Sequence, residues 1–207
     1  MATKMEHLQL ELAHFEHFAP RLPGWGHLCR PTVKYLLEMG MIQVSTAFEQ
    51  AVAHTGGHEL ISQDHADLRS RSGLYSDAKL SSVRTCWKGS TYSAPVGGFS
   101  NKQGALRVQV YERKQNRFYY FVIPHRAYSE RGPKSTIEIA FDLSGNPRRN
   151  VLARQGSRQN WWRYEVNTFE LMCTRFTDPA TELAEMTEIA PAQKLFCPPL
   201  RDISCYQ

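Results

Sequence analysis

Apolar side chains at Leu8, Leu10, Leu12, Phe15 and Phe18 form an imperfect stripe at helical spacing over residues 5–18, which Gly24 and Gly26 then interrupt. Pro31 suits a first helical turn. The positions Val33, Leu36 and Leu37 predict a helix that ends near Gly40, and Ile42, Val44, Phe48 and Val52 lead into another from about Thr46 to Gly56 and Gly57. The period then shortens. Residues 58–62 read as a short strand, 63–65 as a tight turn, and 66–82 as an extended hairpin bending near Ser72 and Gly73. Residues 85–104, rich in Gly, Ser, Thr and Pro, read as a loop of about 20 residues, a length uncommon unless the loop binds something or moves. Two strong strands follow. In 105–113, Leu106, Val108 and Val110 alternate with Arg107, Gln109 and Tyr111, whereas the unbroken apolar run of 116–124 suits a strand covered on both faces and ended by Pro124. Ile137, Ile139 and Phe141 mark another strand. Residues 160–172 fit either period, and Asp178 and Pro179 sit at cap positions for a short acidic helix.

This pattern occupies 207 residues, 42% of them hydrophobic, which suffices for one packed domain over 1–207. Residues 1–40 form its helical first part and 177–207 an appended tail. The net charge of +5 is unevenly spread: residues 69–175 carry 19 Lys and Arg against 7 Asp and Glu. A positive field of that kind attracts a polyanion, and also serves an ordinary solubilising surface. Cysteines 29, 86, 173, 197 and 205 contain no C-x-x-C pair, which excludes a zinc ribbon or disulfide scaffold. With no apolar leader or spanning segment, the expected setting is reduced and cytoplasmic, away from the membrane.

The sharpest chemical feature is Asp67 followed ten positions later by Asp77, Ala78 and Lys79. On a strand, the two-residue period puts Asp77 and Lys79 on one face. Two carboxylates supply hard oxygens suited to Mg²⁺, and a neighbouring ammonium can orient or help deprotonate a water attacking a phosphate. The chemistry indicated is phosphodiester hydrolysis; a structural ion pair is the alternative use of the same residues. Asp64 competes with Asp67 as the upstream ligand. His58 and His65 flank the short strand, without the spacing of a zinc site. No G-x-S-x-G, Walker loop, G-x-G-x-x-G or H-E-x-x-H pattern is present.

These residues resemble the PD-(D/E)xK, or restriction-endonuclease-like, nucleases. The likeness runs from Thr46 to Pro124, with Glu49 on the preceding helix, Asp67 and Asp77 as the acidic positions and Lys79 as the motif lysine; Ala66 stands where the family's proline would. The resemblance implies an α/β fold with a mixed central β-sheet flanked by helices, and an active site where an early hairpin splays apart. The segment 73–82 is most similar to small type II restriction enzymes. That likeness implies a Mg²⁺-dependent homodimer cutting double-stranded DNA, with residues 1–40 as a possible dimer contact.

Nucleic-acid contacts are expected from Arg69 and Arg71 before the cleft and from Arg84 and Lys88 after it. Asn101, Lys102 and Gln103 in the long loop, and Arg158 and Asn160 beside Trp161 and Trp162, are candidates for reading or clamping bases. A nucleic-acid-binding module without catalysis, or a repair or defence subunit that needs a partner, is the alternative reading.

Overall fold

A computed structural model describes residues 3–63, 66–85, 92–98, 102, 104–128, 136–148 and 161–177. Helix α1 (Lys4–Phe18) starts at a capping box in which the Glu6 amide donates to Thr3 Oγ1 at 3.2 Å and the Thr3 amide to Glu6 Oε2 at 2.9 Å. Helix α2 (Arg30–Glu38) has its proline in the first turn, and α3 (Val44–Gly56) ends at Gly57, whose φ of 65° is the left-handed conformation of a C-terminal cap. Strands β1 (Glu59–Gln63), β2 (Ala66–Arg69) and β3 (Tyr75–Ser82) follow, then β4 (Arg84–Thr85), β5 (Tyr92–Val96), β6 (Ala105–Glu112) and β7 (Arg117–Ile123). Helix α4 (His125–Tyr128), β8 (Ile137–Phe141), a 3₁₀ turn over Trp161–Tyr164, β9 (Glu165–Val166) and α5 (Phe169–Thr174) complete the described chain.

The central sheet runs β1-β2-β3-β6-β7-β9. Its β3–β6 pair is parallel and its other pairs antiparallel, so the fold is α/β with a mixed central sheet and flanking helices. Residues from α1, α3 and α5 bury one face of the sheet around Leu68, Ala78, Tyr120 and Val122. On this side Phe48 lies between Phe18 and Phe169, with ring centroids 5.4 and 6.2 Å away. A smaller antiparallel sheet, β4-β5-β8, shares a second core with Leu106, Val108, Phe121 and Ile123 on the other face. No helix of the described residues is long and apolar enough to cross a membrane.

Two expectations change. The stretch 85–104 is not a plain loop, because β5 lies within it and buries Ala94 and Val96 completely or nearly so. Its turn-like composition hides a strand whose Pro95 lies beyond the two positions paired with β4, where no ladder donor is required. Strand β6 is buried on both faces rather than one. Arg107 and Gln109 are interior, with the Arg107 guanidinium donating to Ser76 Oγ and to the Met172 carbonyl. Of the two uses open to the stripe of α1, Phe15 and Phe18 serve packing on their own core, both being fully buried, which leaves the dimer contact of residues 1–40 untouched. The acidic helix expected after Asp178, and the tail, lie outside the described residues.

Between α1 and the sheet, His17 stacks on Phe118 at 3.8 Å and bonds to the Tyr120 hydroxyl. Burial, helped by the Arg21 charge, holds this imidazole down at about 4. An imidazole of depressed pKa contributes stability that is present above the ordinary value and lost as pH falls through the folded one. Between pH 7 and pH 4.5 the wild type is therefore expected to lose more stability than His17→Phe in urea titrations. Parallel pH profiles contradict a neutral buried ring.

Candidate active site

The strand hairpin that carries the acidic residues is paired only near its turn. Ser70 and Leu74 close the bend through a backbone hydrogen bond of 2.8 Å, helped by the φ of 87° at Gly73. Arg69 then pairs with Tyr75 and Leu68 with Ser76, after which the ladder stops. Beyond that point β2 stays with β1, through Ala66 and Gln63, whereas β3 runs parallel to β6 from Ser76 opposite Ala105 to Ser82 opposite Tyr111. The next two positions in the interrupted ladder are Asp67 and Asp77. Leu68 and Ala78 point into the helix-side core, so alternation directs Asp67, Asp77 and Lys79 to the opposite face.

Asp77 is wholly buried, and two ammonium groups meet its carboxylate. Lys79 Nζ lies 2.6 Å from Oδ2, and Lys102 Nζ lies 2.8 Å from Oδ1. Both contacts are ion pairs. Lys102 also donates to Asp67 Oδ1 at 3.1 Å, which makes it a bridge between the two strands. The sequence places Lys102 among the candidates for DNA contact. In the structure its ammonium instead sits on the carboxylate pair, 25 and 35 residues away along the chain.

Lys102 reaches this position through the tight entry into β6. Gly104 has a φ of 89°, and a Cβ added there would fall 1.7 Å from the Tyr75 carbonyl oxygen. The Gly104 carbonyl in turn accepts from the Tyr128 hydroxyl at 2.6 Å. A glycine next to a strand start was the only local signal of this close approach, and it did not indicate which side chain the turn would deliver.

The charges on the site are unequal. Burial, then hydrogen bonding with Asp67, pushes the Asp77 carboxyl up to about 6 despite the attraction of Lys79 and Lys102. Burial also acts on Asp67, but hydrogen bonds with Asp77 and Lys102 outweigh it and hold this carboxyl below its ordinary value. The pair therefore keeps its proton on Asp77 first. Glu49 joins the same electrostatic cluster from α3: burial, then the Asp67 and Asp77 charges, raise it to about 7 against the opposing pull of Lys79 and Lys102.

Other candidates are dispersed. Arg69 is exposed and ion-paired with Glu59 at 2.5 Å; Arg71 lies exposed in the hairpin turn; Arg84 is exposed, 4.0 Å from Glu138. The His58 ring meets the Cys173 carbonyl at 2.7 Å, and burial with the Arg107 charge lowers it to about 4. Asp64, His65, Lys88, Asn101, Gln103, Arg158 and Asn160 lie outside the described residues. A groove of about 1230 Å³ opens elsewhere, between α1, the α2–α3 connection and the far end of β3, and is lined by Glu6, Glu11, His14, Arg84 and Arg113 among others. It includes none of the residues 49, 67, 77, 79 and 102.

Among the described residues no group of three or more His, Cys, Asp and Glu side chains is arranged to hold a metal. Two carboxylates are nevertheless a sufficient protein contribution for Mg²⁺, which keeps several waters and takes further oxygens from substrate phosphates. The Asp77 oxygens, wholly buried and faced by two cationic groups, are hard donors of the kind such a cation takes. The sequence matches no model of a known protein family and no curated protein.

Two outcomes are expected. Gly104→Ala lowers stability by more than about 1 kcal/mol in chemical denaturation, since both the backbone conformation and the space forbid a Cβ. Glu49→Gln separates the titration of this carboxyl. A raised carboxyl contributes stability that is present below its ordinary pKa and lost as pH rises through the folded value. In EDTA the variant should therefore match the wild type near pH 4.5 and melt at a higher temperature at pH 8.5; equal melting at both pH values contradicts the raised value.

Proposed function

We propose that this chain is a Mg²⁺-dependent endonuclease of restriction-endonuclease-like fold, hydrolysing phosphodiester bonds of double-stranded DNA at defined sites in the manner of small type II restriction enzymes. The observation that carries the reading is the end of β2–β3 pairing at Leu68 and Ser76, one position before Asp67 and Asp77. Splaying there turns two neighbouring carboxylates toward a shared space instead of leaving them as solvated strand residues. The accompanying Lys79, on the same face as Asp77, supplies the third member of the resemblance.

In this reading Asp67 and Asp77 hold the ion. When bound, it supplies Lewis-acid neutralisation of charge on a phosphate oxygen. Lys79 orients the attacking water and donates toward the developing negative charge, a contribution of the electrostatic kind. Glu49, poised near neutrality, takes or returns a proton at its carboxyl oxygen. The 19 basic against 7 acidic residues over 69–175 favour approach of a polyanion, with phosphate contacts assigned to exposed Arg71 and Arg84. The homodimer is part of the same proposal, with the exposed Tyr35 of α2 and Met39 just after it as apolar contact.

Purified protein is expected to convert supercoiled plasmid to nicked or linear DNA with Mg²⁺ and not with EDTA. Asp77→Asn and Lys79→Ala should each lower the rate at least about 10²-fold while duplex binding persists. Duplex binding without metal-dependent cutting by the wild type would sink the enzymatic reading in favour of a binding module. Cleavage by both variants at the wild-type rate would remove the proposed site.

A further inference from the structure

The side chain that completes the carboxylate cluster is a cation from a distant part of the chain. Lys102 Nζ lies 2.8 Å from Asp77 Oδ1 and 3.1 Å from Asp67 Oδ1, so one ammonium engages an oxygen on each of the two diverging strands. Lys79 approaches the other Asp77 oxygen from its own strand. The two lysines thus have different tasks: Lys79 stands beside the pair, and Lys102 stands between its members. Lys102 is itself largely buried, with a side-chain exposure of 13%, and the close passage of Gly104 against Tyr75 leads directly into its position. Two adjacent carboxylates, one of them without exposure, repel each other and lose hydration on burial. An ammonium lying between them offsets both costs.

A Mg²⁺ or Mn²⁺ ion held by these same two oxygens would need to approach them to about 2.0–2.1 Å, the magnesium distance. An ion bridging Asp67 Oδ1 and Asp77 Oδ1 would occupy the space in which Lys102 Nζ lies. Ammonium and metal therefore compete for one place. We propose that Lys102 is an internal counter-ion that holds the Asp67–Asp77 pair together in the metal-free protein and is displaced from it by a divalent cation. This inference rests on the metal-binding reading above and adds a positioning role for a residue outside the Asp67, Asp77 and Lys79 pattern. Its consequence is thermodynamic. Metal binds only to the fraction of molecules in which Lys102 has withdrawn, so the apparent affinity of the wild type is lowered by that fraction.

The test uses the full chain and Mn²⁺ alone, with no DNA and no activity assay. Isothermal titration of Lys102→Met, which keeps the length of the side chain and removes its charge, is expected to show Mn²⁺ binding about tenfold tighter than wild type. In EDTA the variant should melt at a lower temperature than wild type, and Mn²⁺ should raise its melting temperature by a larger interval. A second measurement needs no variant: acetylation of wild-type lysines, mapped by mass spectrometry, should increase several-fold at Lys102 when Mn²⁺ is added and reverse with EDTA.

Mn²⁺ binding of equal or weaker affinity in a folded Lys102→Met protein, or Lys102 acetylation unchanged under Mn²⁺ that binds, overturns the counter-ion role while leaving the metal site intact. If Lys102→Met fails to fold, the acetylation result on the wild type decides. Absence of Mn²⁺ binding in both proteins overturns this inference and the metal-dependent reading together.

Discussion

A carboxylate removed from water needs a proton, a cation or several donors, and Asp77 is removed from water completely. Much of the local architecture meets that requirement. Strand β3 brings Lys79 two residues later to the same face, and the turn into β6 brings Lys102 across the gap. Even so, Asp77 retains a raised pKa, which indicates that burial and the adjacent Asp67 outweigh the two ammonium groups. The site is thus held under electrostatic tension between groups that are close because the fold puts them there.

The source of the tension is an exchange of strand partners. Strand β3 is antiparallel to β2 for two residue pairs and parallel to β6 for seven. The long ladder with β6 keeps β3 in the centre of the sheet, while β2 remains bound to β1 and diverges. Helices α1, α3 and α5 cover the face occupied by Leu68 and Ala78, leaving Asp67, Asp77 and Lys79 to the other. There the smaller sheet shields the middle of the strands, and Ser81 of β3 donates to the Pro95 carbonyl of β5 at 2.6 Å. One continuous strand therefore contributes apolar residues to the helical core, charged residues to the cluster and a tie to the second sheet.

The buried Arg107 shows the same physics solved differently. Its guanidinium lies inside the helix-side layer and donates to Ser76 Oγ and the Met172 carbonyl, tying β6 to β3 and α5. Its planar set of donors suits such fixed acceptors. The lysines at the carboxylates present compact charges on flexible stems instead. A buried arginine fastens the scaffold on one side of the sheet, and lysines balance the carboxylates on the other.

Periodicity determined a great deal before any coordinates: the three early helices, the 66–82 hairpin with its bend at Gly73, the strands β6, β7 and β8, and the placement of Asp77 and Lys79 on one face. Those features follow from local conformational preference and from which side chains avoid water, both of which are written within a few residues. The tertiary structure decided the rest. Strand β5 exists because β8 and the second core lie beside a segment whose Ser, Pro and Gly content favours turns. Arg107 is buried because Ser76 and a carbonyl of α5 arrive from elsewhere. Lys102 stands between Asp67 and Asp77 because the β2–β3 pairing ends where it does and β6 begins against Tyr75. Such contacts join residues far apart in the chain, and only the summed packing of the fold brings their charges within reach of each other.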